Sequence, residues 1–275
     1  MSIERITITI KKDLLKRIDR MIDGESVKNR SHAIEQLLQK SINKNDVNTA
    51  LIMAGGEGAD LRPITYEIPK PLIPVHGRPI LEHQINMLKK NNIDNIFVAI
   101  NKNQDSIRDK FGDGSKHDVR IKYLVEEKPL GTAGALSMIK DKINTSFIMM
   151  NVDTLISPDI HEVIDFHKKQ RTAATIVLAT ASDPTSYGVV RMRGEKVLEF
   201  VEKPKQAPSN LINAGMTVFE PDVFRYVFGK MMIKDLFQKL CKENQLSGFL
   251  HDGPVFDVGT HEGYEKAIKQ WKDVK

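Results

Sequence analysis

Cysteine is all but absent from this chain of 275 residues: Cys241 stands alone. No intrachain disulfide can form, and a zinc site built on cysteine thiolates is excluded. A lone thiol of this kind is expected to be buried and inert. Long hydrophobic runs are missing as well, and nothing approaches the ~18–20 consecutive apolar residues that a membrane helix needs. Residues 1–5 lack the apolar stretch of a secretory signal, so the expected location is the cytoplasm. The eight histidines are scattered, none at metal-ligand spacing. Neither a Gly-x-Ser-x-Gly turn nor a Gly-Lys-Ser/Thr phosphate loop occurs.

What remains is a chain long enough for one sizeable core and a small appendage. Its net charge of +5 is unevenly placed, because residues 1–45 hold ten Lys or Arg against six Asp or Glu. The rest of the chain is therefore almost neutral. Such asymmetry points to an anionic partner for the basic segment, with a solvated surface as the bland alternative.

Within that segment, Arg5-Ile-Thr-Ile-Thr-Ile alternates strictly and predicts a half-exposed strand. Ile6, Ile8 and Ile10 take one face, Thr7 and Thr9 the other. A helical stripe follows from Lys12 to Ile22 (Leu14, Leu15, Ile18, Met21, Ile22), stopped by Asp23-Gly24. A second helix is expected with Ser31 as its N-cap and Ala33, Ile34, Leu37, Leu38 and Ile42 buried. One strand and two helices cannot enclose an adequate core in so few residues, whereas two copies pairing their strands across a two-fold axis can. The segment resembles the ribbon-helix-helix DNA-binding modules over essentially its whole length. That resemblance implies a homodimer, with Arg5, Thr7 and Thr9 facing bases in the major groove and the helix start near Ser31 on a phosphate. A dimerisation module that never touches DNA stays open beside it. The polar, Asn-rich residues 41–48 are read as a linker or helix end, dividing the chain into domains 1–45 and 46–275.

The second domain is organised around Leu51-Ile-Met-Ala-Gly-Gly-Glu-Gly-Ala-Asp-Leu-Arg-Pro-Ile-Thr, followed by Pro69-Lys-Pro-Leu72. An apolar strand runs into a loop bare of side chains, where backbone N–H groups can close on a polyphosphate. The clamped Lys70 presents one cation beside it. This stretch resembles the signature of the sugar-phosphate nucleotidylyltransferases at Gly55, Gly56, Gly58, Leu61, Pro63, Thr65, Pro69, Lys70, Pro71 and Leu72. It departs at Ala59, where Thr is usual, and at Asp60, where Arg is usual.

Further along, apolar runs at 96–100, 119–125, 146–150, 173–179, 187–190 and 197–204 read as strands, and 80–90 and 134–143 as helices. The alternation predicts an α/β fold with a doubly wound, mainly parallel sheet. Ligands then collect at the carboxyl ends of its strands, where residues 55–58 and Asp153 lie. Alone, an acidic residue ending a strand reads as a cap or turn former. The resemblance instead implies that Asp153, with Asp257 in Phe256-Asp-Val-Gly-Thr260, ligates Mg²⁺.

The resemblance also implies nucleotide contacts at Ala54, Gly55, Gly56, Gly58, Glu126, Gly131 and Thr132, and sugar-phosphate contacts at Tyr187, Gly188, Glu202, Lys203 and Asn213. Catalytic roles fall to Lys70, Asp153, Asp257 and Lys203. Glu126 stands where uridylyl and thymidylyl relatives commonly carry Gln. A carboxylate can accept the adjacent N–H and NH₂ of guanine, so GTP is favoured unless Glu126 faces solvent beside Glu127. The implied reaction joins an NTP and a sugar 1-phosphate to give an NDP-sugar and pyrophosphate. Asp60 turns a cation that would meet the leaving pyrophosphate into an anion, which implies weakened catalysis. A pseudoenzyme, or a DNA-binding regulator that senses a sugar nucleotide, is the alternative reading.

Overall fold

The computed structural model describes residues 6–24, 27–42, 47–126, 128 and 130–271. It divides into two compact units, Met1–Asp46 and Val47–Lys275. In the first, helix α1 (Lys12–Asp19) and helix α2 (Arg30–Ile42) enclose a small cluster of Ile18, Val27 and Ala33, flanked by Ile10, Ile22 and Ile34. The Arg30 guanidinium donates to both Asp19 oxygens at 2.6 and 2.9 Å and holds that carboxyl below the usual carboxylate range. The pair is exposed, so it fixes geometry more than stability.

Three expectations for this unit are corrected. Helix α1 ends at Asp19, three residues short of the apolar stripe. Ser31 is not the cap of α2: Asn29 Oδ1 accepts the His32 amide at 2.9 Å, and Ser31 sits exposed in the first turn. Residues 6–11 join no ladder among the described residues, and Ile6 and Ile8 are 70% and 50% exposed. A strand needs a neighbour for its backbone groups, and one copy of this unit supplies none. Arg5 lies outside the described residues.

The second unit is built on a nine-stranded sheet. Its strands are β1 (Thr49–Met53), β2 (Asn95–Asn101), β3 (Arg120–Glu126), β4 (Phe147–Asn151), β5 (Ala174–Thr180), β6 (Gly188–Arg193), β7 (Lys196–Glu202), β8 (Leu211–Phe219) and β9 (Leu246–Leu250). They lie in the order β3-β2-β1-β4-β8-β5-β9-β7-β6. The parallel character is concentrated in β3-β2-β1-β4 and in the β5–β9 pair. Strand β8 runs antiparallel to both β4 and β5, and β7 antiparallel to β6 and β9.

Strand β1 shows how the sheet divides its core by the two-residue period of side chains. Ala50 and Ile52 pack on one face with helices α3 (Ile80–Lys90), α4 (Asp105–Phe111) and α5 (Ile160–Gln170). Leu51 packs on the other with Leu136 and Ile139 and with helix α6 (Ile233–Lys242). The helix expected at 134–143 is a 3₁₀ helix over residues 134–142. Cys241, on α6, is half-buried, and burial pushes its thiol up to about 11, consistent with an inert sulfur.

A third cluster matters most for position. Leu61, Ile73, Val75 and Ile80 pack with Leu155, Phe256, Val258 and Trp271, and Trp271 meets Phe256 edge-on at 6.0 Å. Residues just after the glycine loop are thereby packed against those around Asp257 and helix α7 (His261–Gln270).

Candidate active site

The loop after β1 is shaped by the contacts around it. The Ala54 amide donates to Ala99 O at 2.9 Å, and Asn101 Nδ2 donates to Gly55 O. Gly58 is left-handed at φ +68°, and a Cβ there would lie 2.7 Å from the Thr65 methyl, so glycine is required twice over. Thr65 Oγ1 donates to Gly58 O at 2.7 Å and locks the turn. At Gly56 an added Cβ would meet no protein atom; what it would occupy is open cavity. Lys70 comes back under this loop, and its Nζ reaches Asp153 Oδ2 at 3.0 Å.

Asp153 and Asp257, far apart in the chain, are joined by a two-residue ribbon in which Thr154–Leu155 pairs antiparallel with Phe256–Asp257. The Val258 amide donates to Asp153 O at 2.8 Å, and the Gly259 amide to Asp257 Oδ1 at 2.9 Å. Burial raises the Asp257 pKa, and the Asp153 charge raises it further, against the opposing pull of the Gly259 amide, Lys70 and Lys203. A Cβ on Gly259 would sit 2.9 Å from Asp257 Oδ1 and 3.3 Å from Lys70 Nζ, so a side chain there would crowd the acid pair. Buried Gln84, on α3, closes the arrangement from below: its Nε2 donates to Asn151 O at 2.7 Å and to Thr154 O at 3.0 Å, bracketing Asp153.

Replacing Gln84 by leucine removes both bonds and leaves two carbonyls short of a donor, at about 1–3 kcal/mol for a buried unsatisfied group. A loss of ~2 kcal/mol corresponds to a melting temperature about 4–8 °C lower in a chain of this size. Calorimetry of Gln84→Leu is the check, and an unchanged melting temperature would show that the bracket carries no stability.

Two cavities meet at Asp153. The larger, of about 720 Å³, is lined by Gly55, Gly56, Glu126, Gly131 and Thr132 among others. The smaller, of about 530 Å³, is lined by Lys70, Tyr187, Gly188, Lys203, Asn213 and Asp257 among others. Asp153, Glu202, Asn151 and Ile233 belong to both walls. Of the residues expected from sequence, Ala54 and Gly58 lie buried beneath the loop rather than in a wall. Glu126 Oε2 accepts the Leu130 amide at 3.3 Å, so one of its oxygens already orders the following loop. Lys203 is left-handed at φ +44°, with its amide on Tyr187 O at 2.9 Å. Asn213 Oδ1 accepts the Gly215 amide at 3.0 Å, inside a β-bulge of β8 that packs against Thr154.

Asp60 lines the smaller cavity with Lys70, Asp153 and Asp257. It does not make the acid pair a three-carboxylate site: among the described residues no three His, Cys, Asp or Glu side chains group to hold a metal. Arg62 does not stand in for a cation there. It lies over the Tyr66 ring at 5.1 Å and faces Glu57 at 3.8 Å. The donor chemistry suits a hard divalent cation, because two close carboxylates repel and such a cation takes its other oxygens from phosphate and water.

Several wall residues escape the sequence reading. Asn101 and Asn151 end β2 and β4, where the strand-end rule that singles out Asp153 applies equally. Lys230 and Lys234 line the larger cavity without any local motif to mark them.

Comparison with known proteins agrees with this architecture. Residues 49–274 match the nucleotidyl transferase family model, and residues 4–44 match that of ribbon-helix-helix proteins of the copG family. A probable mannose-1-phosphate guanylyltransferase 1 of Oryza sativa subsp. japonica is 34% identical over 82% of this chain and 64% of its own length. A mannose-1-phosphate guanyltransferase of Saccharomyces cerevisiae is 35% identical over 78% of this chain and 62% of its own. The chain thus spans a little under two-thirds of the length of these relatives. A Bacillus anthracis structure described as a putative glucose-1-phosphate thymidylyltransferase superposes with a TM-score of 0.77 at 28% identity, over 82% of this chain and 96% of that one. With a glycine loop and an acid pair assembled on the matching sheet, and a family model covering 49–274, the chain belongs to the nucleotidyl transferase family.

Proposed function

We propose that this protein transfers a nucleotidyl group from an NTP to a sugar 1-phosphate, releasing pyrophosphate. The observation that carries the reading is the meeting of two cavities at Asp153, one beside the glycine loop and one lined by Tyr187, Glu202, Lys203 and Asn213. In this reading an oxygen of the sugar phosphate attacks the α-phosphorus in line. The bond from that phosphorus to the bridging oxygen of the β-phosphate breaks, and pyrophosphate leaves with the electron pair. No covalent enzyme intermediate is needed, so the protein's work is positioning and charge stabilisation.

Lys203 holds the sugar phosphate, and Glu202, Asn213, Tyr187 and Gly188 bind the sugar. The amides of residues 55–57 hold the triphosphate, and Gly131 and Thr132 admit the nucleoside. Lys70 neutralises phosphate charge beside Asp153. Asp153 and Asp257 would hold Mg²⁺, which would supply positive charge to offset that of the reacting phosphates. Glu126, as a carboxylate acceptor at the larger cavity, favours guanine, in keeping with the guanylyl specificity in the names of the curated relatives. Mass spectrometry of the products from each of four NTPs with mannose 1-phosphate tests this assignment. A GDP-sugar as main product supports it, and a UDP- or dTDP-sugar overturns it.

Residues 1–45 form a homodimerisation module in this reading, with DNA as a further partner through Arg5, Thr7, Thr9 and the start of α2. A second role, as a DNA-binding regulator that senses a sugar nucleotide, is favoured by the concentration of net positive charge in this segment and by Asp60 in the transferase site. Exposed Ile6 and Ile8 support dimerisation. Ile8→Asp should shift the full chain from dimer to monomer in sedimentation velocity, and operator binding altered by an NDP-sugar would establish the second role.

A further inference from the structure

The two cavities differ sharply in where their cations lie. Lys70 and Lys203 line the smaller one. The larger one, beside Gly55 and Gly56, has four carboxylates in its wall, from Glu57, Glu126, Asp153 and Glu202. Among the described residues its cationic side chains are Lys230 and Lys234. A triphosphate carries several negative charges, and every carboxylate in that wall repels it. Arg62, the nearest arginine in sequence to the glycine loop, is turned to Tyr66 and Glu57.

The segment that carries these lysines is tied to the nucleotide loop by its backbone. The Met231 amide donates to Leu130 O at 2.8 Å, and Met231 O accepts the amides of Ala133 and Gly134 at 3.1 and 3.0 Å. Gly131 is held so close that a Cβ there would lie 2.5 Å from Met231 O. Lys230 and Lys234 therefore flank a segment fixed to the loop of Gly131 and Thr132. Neither is in an ion pair among the described residues, so their charge is available to a ligand.

We propose that Lys230 and Lys234 are the polyphosphate-binding cations of this chain, supplying, in the cavity that Gly55 and Gly56 also line, the positive charge that Asp60 does not. The inference rests on the nucleotidyl-transfer reading and deepens it: the ligand class is a nucleoside triphosphate, and the lysines read its β- and γ-phosphates rather than its base. Charge-assisted hydrogen bonds of this kind are about twice as strong as neutral ones.

The test is titration calorimetry of the full chain with Mg²⁺ present, using the tightest-binding of ATP, GTP, UTP and dTTP, and then its monophosphate. Lys230→Met combined with Lys234→Met should weaken the triphosphate about a hundredfold, roughly tenfold per lysine. The monophosphate should change by less than about threefold, and the triphosphate's salt dependence should flatten because fewer charges pair with it. The double arginine variant, Lys230→Arg with Lys234→Arg, should keep triphosphate affinity within about threefold of the parent. Equal weakening of both ligands, or no weakening of either, overturns the inference while leaving the nucleotidyl-transfer reading intact. A parent protein that binds no nucleoside triphosphate overturns both.

Discussion

Asp257→Asn should lower turnover by at least about 10²–10³-fold, the usual cost of losing one preorganised charge-stabilising group at a reacting centre, while leaving the fold as stable as before or more so at neutral pH without Mg²⁺. The two halves of that result come from one geometry. Asp257 is buried beside Asp153, and both facts lift its pKa above the ordinary carboxylate value. A carboxyl whose folded-state pKa is raised contributes stability that is fully present below its unfolded value near ~3.9 and is lost as pH rises through the folded value. At neutral pH the charged Asp257 therefore works against folding, and the asparagine removes that penalty. The asparagine carbonyl can still accept the Gly259 amide that Asp257 Oδ1 accepts at 2.9 Å, so the ribbon keeps its turn. Melting curves with EDTA and with Mg²⁺, run beside a turnover assay, separate the two effects. A variant that melts lower in EDTA and keeps its turnover would show that Asp257 is a structural residue.

Asp60→Arg is expected to act in the opposite direction and to raise turnover by about 10²–10³-fold, the value of one donor at the transition state. Asp60 lines one cavity with Lys70, Asp153 and Asp257, where the acid pair is already in mutual repulsion. The family resemblance implies that the leaving pyrophosphate meets this position, so the reversal would remove an anion and supply a cation where negative charge grows. The gain should appear in kcat more than in KM, because the charge on the leaving group grows in the transition state. Asp60→Asn should recover part of the gain, since it removes repulsion without adding a donor. If Asp60→Arg leaves turnover unchanged, or lowers it, the residue is adapted to a role other than a degraded pyrophosphate contact.

The elements of this site differ in how far the sequence alone reveals them. Gly55, Gly56, Gly58 and Lys70 are legible because a bare loop after an apolar strand is a local pattern, and the structure shows Gly58 in the left-handed conformation that explains its glycine. Asp153 is legible as a strand end, but its partnership with Asp257 depends on a ribbon between segments about a hundred residues apart, which no local pattern encodes. Gln84 could have been found, because it shares the buried face of α3 with Leu81, Ile85 and Leu88, where a polar side chain needs a reason. Lys230 and Lys234 left no trace, since their significance depends on backbone bonds from Met231 to the loop at Gly131. In the first unit, Asn29 outcompetes Ser31 as cap because both suit the role and only the backbone decides. The alternating strand there fails to pair among the described residues for a different reason: its pattern specifies a face, and a face needs a partner.

Nucleotidyl transfer at the junction of the two cavities is the proposed activity of this protein. Pyrophosphate release, measured for the full chain with four NTPs against a series of sugar 1-phosphates in Mg²⁺, tests it most directly. Release is expected to require both substrates and the metal, to rise in Asp60→Arg and to be lost in Asp257→Asn. No release from any pair by either the parent chain or Asp60→Arg would contradict it.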